Sequence, residues 1–234
     1  MTTIRGTLLL MSLALPMVGC QTPADPDREA DGYTRAVEEP VAETPPEGQR
    51  YEVVTERSEL RIVIRPEGRM GHAHVMGGEA ITGEVVLPAE HHDAWLDLAV
   101  QVDALQVDEP AWRTDEGFDP DMSERAIEGT RENMLSGEVL NAEAHPVIRI
   151  RAGEATGPAW QPDVRARITL AGETRERTVP VSVHRDDDEL EVTGRFRILQ
   201  TEFGIEPFSA LGGALRVDDE VLIRFRIHAE PAPD

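Results

Sequence analysis

From Tyr51 onward the dominant hydrophobic period of this chain is two, and a segment that alternates in this way buries one face of an extended strand. Leu60, Ile62 and Ile64 alternate with Arg61 and Arg65, and Leu96, Leu98, Val100 and Val102 alternate with Asp97, Ala99 and Gln101. Val164, Ala166, Ile168 and Leu170 alternate with Arg165, Arg167 and Thr169, and the rhythm returns over 179–183, 190–198 and 221–227. Turn residues separate the runs: Ala171-Gly172 is short enough for a hairpin, and Asp186-Asp187-Asp188 joins the next pair. Sequential strands on short turns predict an all-β antiparallel meander that closes on itself or folds into a sandwich. One stretch departs from this period. Asp121 with Glu124 resembles a capping pair, and Met122, Ala126, Ile127, Thr130, Met134 and Leu135 fall at helical spacing before Gly137. The expectation is one short helix over 121–135, lying across an end or side of the sheet, with His145-Pro146 returning the chain to a strand at 147–152.

The first residues have a different character. Arg5 precedes an apolar run from Leu8 to Val18, then Gly19 and Cys20, the single cysteine of the chain. That pattern matches a secretory signal, and a run of about a dozen residues is too short to span a bilayer of roughly 30 Å. Residues 1–19 are read as a signal peptide. The segment resembles a bacterial lipoprotein signal, which implies a mature chain starting at a lipidated Cys20; ordinary cleavage with a free thiol is the alternative. Gln21 after the cysteine resembles lipoproteins sorted to the outer membrane, so the expected address is the periplasm, anchored to that membrane. Residues 20–49 are rich in Pro, Glu, Asp, Ala and Thr with Tyr33 the sole aromatic, a composition expected to form a disordered tether. The folded domain is expected over 50–230, with 231–234 a tail.

Charge narrows the partners. The net charge of −22 arises from 45 acidic residues against arginine alone, since the chain contains no lysine. Phosphate backbones need a basic footprint, so nucleic acid is not an expected partner. No serine sits in a nucleophile elbow, and no Walker or dinucleotide fingerprint occurs, so an enzyme is not expected.

Several segments read together as a family pattern: Gly71-His72-Ala73-His74-Val75, Thr130-Arg131-Glu132-Asn133-Met134-Leu135, His145-Pro146-Val147-Ile148, Leu170-Ala171-Gly172-Glu173-Thr174-Arg175 and Gln200-Thr201-Glu202-Phe203-Gly204-Ile205, with a Pro207-Phe208-Ser209 tail. Over roughly 51–230 the chain resembles the YceI-like family of periplasmic proteins. The resemblance implies a lipocalin-like up-and-down barrel around an elongated apolar cavity, which in characterised relatives holds a polyisoprenoid or an isoprenoid-tailed quinone. The best-known relatives place an aromatic residue and a single histidine near the first motif. Gly71-His72-Ala73-His74 departs from this and marks a distinct branch.

His72 and His74, two apart, face one side of an extended chain. Three readings stand: a structural or surface role, contact with a ligand headgroup, or a metal site, zinc or copper first. The metal reading needs further ligands from His91, His92, His145 or a distant carboxylate. Arg131 either makes surface ion pairs with Glu128 and Glu132 or points toward the cavity mouth to pair an anionic headgroup or Asp108. Trp112 is read as a lid or as an edge packing residue, and Met122 and Met134 as core or as ligand contacts. The full set of candidate ligand contacts is His72, His74, Trp112, Met122, Arg131, Met134, Phe196, Phe203 and Phe208. The expected function is enclosure of an isoprenoid lipid or quinone for storage or transport, with no other cofactor. The rivals are a metal or redox-cofactor protein built on His72 and His74, and a barrel with a side-chain-filled interior acting as an adaptor for another envelope protein.

Overall fold

The computed structural model describes residues 44–67, 71–186, 188–210, 212 and 214–233. The signal segment, Cys20 and all of the tether before 44 lie outside the described residues. The alternating segments form the strands β1 (Gln49–Val53), β2 (Glu59–Pro66), β3 (His74–Gly78), β4 (Ile81–Leu87), β5 (Trp95–Gln101) and β6 (Gln106–Val107). They continue as β7 (Val147–Thr156), β8 (Asp163–Leu170), β9 (Glu173–Arg185), β10 (Leu190–Leu199), β11 (Ser209–Ala210) and β12 (Leu215–Pro231). Every pairing is antiparallel. The ring β1-β4-β5-β7-β8-β9-β10-β12 closes because β1 pairs with β4 on one edge and with β12 on the other. The expected up-and-down barrel is therefore present, with eight strands in its ring, and closure removes the open edge that a sheet of this size would otherwise expose.

The length of β12 makes this closure possible. Its last residues, Ala229 to Pro231, pair with β1, while Val217 to Arg226 pair with β2 along the same edge. β2 continues into β3 and β6, which extend the wall beyond the ring. A bulge between Val217 and Val221 bends β12. The residues it displaces are tied to the 3₁₀ turn Gln200–Phe203: the Gln200 side-chain amide donates to the Asp218 carbonyl at 2.8 Å, and the Thr201 N–H and hydroxyl donate to Asp219 at 2.9 and 2.7 Å. The strand runs well past the predicted 221–227 at both ends. Pro231 belongs to it, and Ala232 N–H donates to the Arg50 carbonyl at 2.9 Å, so the expected tail starts as part of the wall.

The turns follow their residues. Ala171 (φ 48°) and Gly172 (φ 86°) form the two-residue link between β8 and β9, with both torsions positive as a type I′ turn requires. A side chain at Gly172 would meet the His145 ring at 2.7 Å, so this glycine also makes room for that histidine. The β9–β10 turn is closed by Asp186, whose Oδ1 accepts the N–H of Asp188 and of Glu189 at 3.0 and 2.8 Å.

Two helices interrupt the strands. α1 (Pro110–Asp115) is a six-residue helix outside the predicted helical window. α2 (Glu124–Leu135) occupies most of the predicted 121–135. Its cap is Ser123, whose Oγ accepts from Ala126 N–H at 3.3 Å, rather than Asp121. Asp121 belongs to the preceding turn, where its N–H donates to Asp119 Oδ1 at 3.0 Å. α2 covers the space beside β6: Met134 is buried among Leu98, Val100, Leu105 and Val107. No described helix is long and apolar enough to cross a membrane.

Candidate functional site: an apolar cavity with two different ends

Because the inward residues of the barrel are mostly Leu, Ile and Val, they line the wall without filling it. A cavity of about 930 Å³ runs inside, bounded by such residues as Ile62, Leu98, Ile150, Val181 and Ile223. The interior is thus not filled by side chains. Phe196 and Phe225 both line it, with their rings edge to face at a centroid separation of 6.4 Å.

Strand direction sorts the connections into two ends. The β4–β5, β7–β8 and β9–β10 turns lie at one end, together with the start of β1, where Gln49 pairs with Leu87. Pro88, His91, Trp160 and Arg185 line the cavity there. Trp160 is 66% exposed, the large hydrophobic residue that stands out on the described surface. The turns are laced together: the His91 Nε2–H donates to the Gly157 carbonyl at 2.9 Å, the His92 Nδ1–H to the Ala155 carbonyl at 3.0 Å, and Val183 N–H to the Trp160 carbonyl at 3.0 Å.

α2, Gly71 and His72 before β3, and the residues around Phe208 lie at the opposite end. His72 and His74 both line the cavity there, as do Met122 and Met134 from the helix side and Phe208 beyond the 3₁₀ turn. Behind His74 lies a polar cluster. Asp108 is fully buried, and its Oδ2 accepts from His74 Nδ1 at 2.6 Å. Oδ1 accepts from Arg113 Nη1 at 2.7 Å and from Val75 N–H at 2.9 Å. Arg113 is itself buried and also donates to the Ala73 and Asp119 carbonyls at 2.7 and 2.6 Å. Burial alone would raise the Asp108 carboxyl, but the bonds from His74, Val75 and Arg113 and the His74 charge outweigh it and hold the group below the ordinary carboxylate value. An ionised carboxylate only accepts, so His74 must carry its proton on Nδ1. The remaining hydrogen-bonding atom of this cavity-lining ring is Nε2, the atom left to meet a ligand.

Three sequence candidates lie elsewhere. Trp112, on α1, sits on the outer side of the wall, with the Arg61 guanidinium 5.4 Å from its ring centroid, and is not a lining residue. Arg131 neither lines the cavity nor pairs with Asp108; it donates to the Asp103 and Leu105 carbonyls at 2.8 and 3.4 Å. Those carbonyls lie in and just after the 3₁₀ turn Val102–Ala104, and α2 brings the guanidinium to them. Phe203 is 1% exposed and packs among Ile168, Leu170, Ile198 and Val221 without lining the cavity.

Among the described residues no third donor converges with His72 and His74; the group close enough to share a metal is Glu189, Glu191 and His228. There Arg57 and His228 both bond Glu189 and hold its carboxyl below the usual range, an ion-pair cluster with its countercharge already in place. The sequence reading passed over Arg113, Arg125 and Arg216. Arg113 lies five residues from Asp108, across a backbone with φ +57° at Asp108, and no strand or helix period marks that pairing.

Comparison with known proteins agrees with this architecture. A search of curated proteins gave no match. BcnA of Burkholderia cenocepacia superposes with a TM-score of 0.57 at 15% identity, covering 75% of this chain and 98% of its own. A polyisoprenoid binding domain from Saccharophagus degradans gives 0.55 at 13% identity, covering 78% and 98%. A Campylobacter jejuni YCEI protein gives 0.50 at 8% identity, covering 71% and 89%. At these identities the likenesses establish the fold. The model of the YceI-like domain matches residues 51–229, which spans the closed ring, both its ends and the His74–Asp108–Arg113 cluster, and the chain therefore belongs to the YceI-like family.

Proposed function

We propose that this protein encloses an isoprenoid lipid or isoprenoid quinone in its barrel, for storage or transport in the periplasm, and that it acts by burial of the ligand rather than by bond making. The observation that carries the reading is the cavity: about 930 Å³, walled by aliphatic residues, with His74 at one end. Small-molecule sites span about 300–1,000 Å³, so this one suits a large ligand. A chain that hides about 400 Å² of apolar surface gains roughly 10 kcal/mol at about 25 cal/mol per Å², before association and ordering costs. That margin allows micromolar or tighter binding. The Saccharophagus degradans neighbour, described as a polyisoprenoid binding domain, supports the same ligand class.

The address rests on the sequence. Lipidation of Cys20 would tie the protein to the outer membrane through the tether, and the described chain joins the barrel at the Trp160 end. The Gly71-His72-Ala73-His74 branch of the family, in this reading, uses His74 for the polar part of its ligand. Organic extraction of the purified protein followed by mass spectrometry tests the proposal. A prenyl lipid in near-stoichiometric amount is expected from the native host. Extracts free of such lipids from both native and recombinant material would overturn it.

A further inference from the structure

The loop Gly157-Pro158-Ala159-Trp160-Gln161-Pro162 between β7 and β8 carries no ionisable side chain, in a chain of which 29% is charged. Trp160 within it is 66% exposed, although a tryptophan ordinarily buries most of its large apolar surface. Pro158 and Ala159 beside it are exposed as well. The loop is fastened while the indole is left outside. Gln161 N–H donates to the Pro158 carbonyl at 2.9 Å, and the Gly157 carbonyl accepts from His91 at 2.9 Å. The Trp160 and Pro162 carbonyls accept from Val183 and Val181 N–H on β9, each at 3.0 Å. An apolar side chain presented on a backbone that is already held loses little conformational freedom when a partner takes it up.

The position of the loop says what that partner is. Trp160 and Ala159 line the cavity together with Pro88 and Ala89, so the apolar loop stands at the mouth itself. The described chain enters the barrel along the same rim: a Cβ on Gly48 would lie 2.6 Å from the Leu87 carbonyl oxygen and 2.8 Å from the Pro88 nitrogen. Whatever the preceding residues are fixed to is therefore joined to this end and not to the other. The opposite end has the reverse character, since Asp119, Asp121, Glu124, Glu128 and Glu132 on and before α2 are all exposed. A single tryptophan with its small neighbours is far from the roughly 800 Å² a side that a stable protein interface buries. A bilayer asks for less, because its interfacial layer accepts a single amphipathic ring, and a tether keeps that ring near the surface. Glu90, Asp93, Asp186 and Asp188 stand exposed on the two neighbouring turns, so the lipid face must be one that does not repel carboxylates.

We propose, resting on the lipid-enclosing reading above, that the Trp160 loop seats the barrel on a zwitterionic membrane surface with the mouth of the cavity turned toward the bilayer. The contact is apolar. Charge sets which surface is tolerated, and the acidic α2 end faces away from it.

The mature chain, residues 20–234, keeps every described residue and has one cysteine, so Cys20 can be coupled to a maleimide-headgroup lipid in phosphatidylcholine vesicles. Tryptophan emission is then compared on vesicles with and without bromine on the acyl chains. Brominated chains should quench roughly a third of it, one tryptophan of three. In Trp160→Phe, the remaining Trp95 and Trp112 should not respond. Uptake of geranylgeraniol from the same vesicles should slow about five-fold in Trp160→Asp, with the final loading unchanged. Absence of quenching, or equal quenching in Trp160→Phe, would overturn the docking face, and so would uptake by Trp160→Asp at the wild-type rate. Stronger quenching on adding anionic phosphatidylglycerol would overturn it as well, by giving the contact to cations such as Arg185. If quenching fails while prenyl lipid is still extracted from the protein, the cavity reading stands without the docking face. If quenching is seen but the wild type takes up no geranylgeraniol, the docking face stands and the cavity reading falls.

Discussion

The two ends of this barrel close the same cavity in different ways. At the Trp160 end the strands are joined by turns laced together by backbone and histidine hydrogen bonds, and an exposed tryptophan stands beside the opening. At the α2 end a helix and a buried Asp108–Arg113 pair stand behind the histidine that lines the lumen. One end is a rim of turns with an apolar marker; the other is a built polar platform. The difference teaches that the cavity is not symmetric for its ligand: buried charge is expensive unless paired, and the chain keeps that expense at one end alone. An apolar tail can lie along the whole wall, but a polar head has one place with pre-oriented donors.

Substitutions at three positions sharpen or break this comparison. The largest effect is expected for Asp108→Ala, which leaves Arg113 buried without its carboxylate and places a residue with no local hydrogen bonds at φ +57°. Urea unfolding should show a loss of about 3–5 kcal/mol at neutral pH. Asp108→Asn should recover part of it, since asparagine tolerates the left-handed torsion. The pH dependence has a definite sign. The folded carboxyl titrates below its unfolded value of about 3.9, so its stabilisation is present above that pH and is lost as pH falls through the folded value. The gap between wild type and Asp108→Ala should therefore narrow in acid, and a gap that stays constant would show that the ionised carboxylate contributes little.

A smaller effect is expected for Arg131→Ala. Its bonds to the Asp103 and Leu105 carbonyls fasten α2 to the wall from outside, so stability should fall by about 1 kcal/mol in the same assay. Loss of ligand affinity out of proportion to that change would return Arg131 to the cavity. The smallest is expected for Trp160→Ala: thermal unfolding should move by less than the equivalent of about 0.5 kcal/mol, since little of this side chain is packed. The variant should also lose the largest share of the iodide-quenchable tryptophan emission, because Trp160 is 66% exposed whereas Trp95 is 4% exposed and Trp112 is only partly exposed. A destabilisation well above that limit would mean that the turn end, too, depends on a packed anchor.

Much of the wall is legible in the amino-acid sequence. Leu60-Ile62-Ile64, Leu96-Leu98-Val100 and Val164-Ala166-Ile168-Leu170 line the lumen as their alternation demands, and the helix lies within its predicted window. β3, β4 and β6 were not legible. β3 ends in Gly77-Gly78, Val85-Val86-Leu87 breaks the alternation of β4, and β6 is two residues long. The site was legible in part. His72, His74, Met122, Met134, Phe196 and Phe208 line the cavity, whereas Trp112, Arg131 and Phe203 face other surroundings. Side-chain type points to the kind of surroundings a residue prefers, but a tryptophan can serve a lid or an outer wall equally well. That choice is made by the direction in which the backbone presents it.

The amino-acid sequence by itself determined the antiparallel strands, the hairpin at Ala171-Gly172, the position of the main helix and the strongly acidic surface. These depend on periodicity, torsional preference and charge, all of which act within a few residues. Only the tertiary structure decided that β12 closes the ring by pairing with both β1 and β2. It alone set Asp108 between His74 and Arg113, and it alone left every carboxylate among the described residues out of the cavity lining. Those outcomes join residues far apart along the chain, and no local preference specifies which distant partners a closing barrel will bring to the same rim.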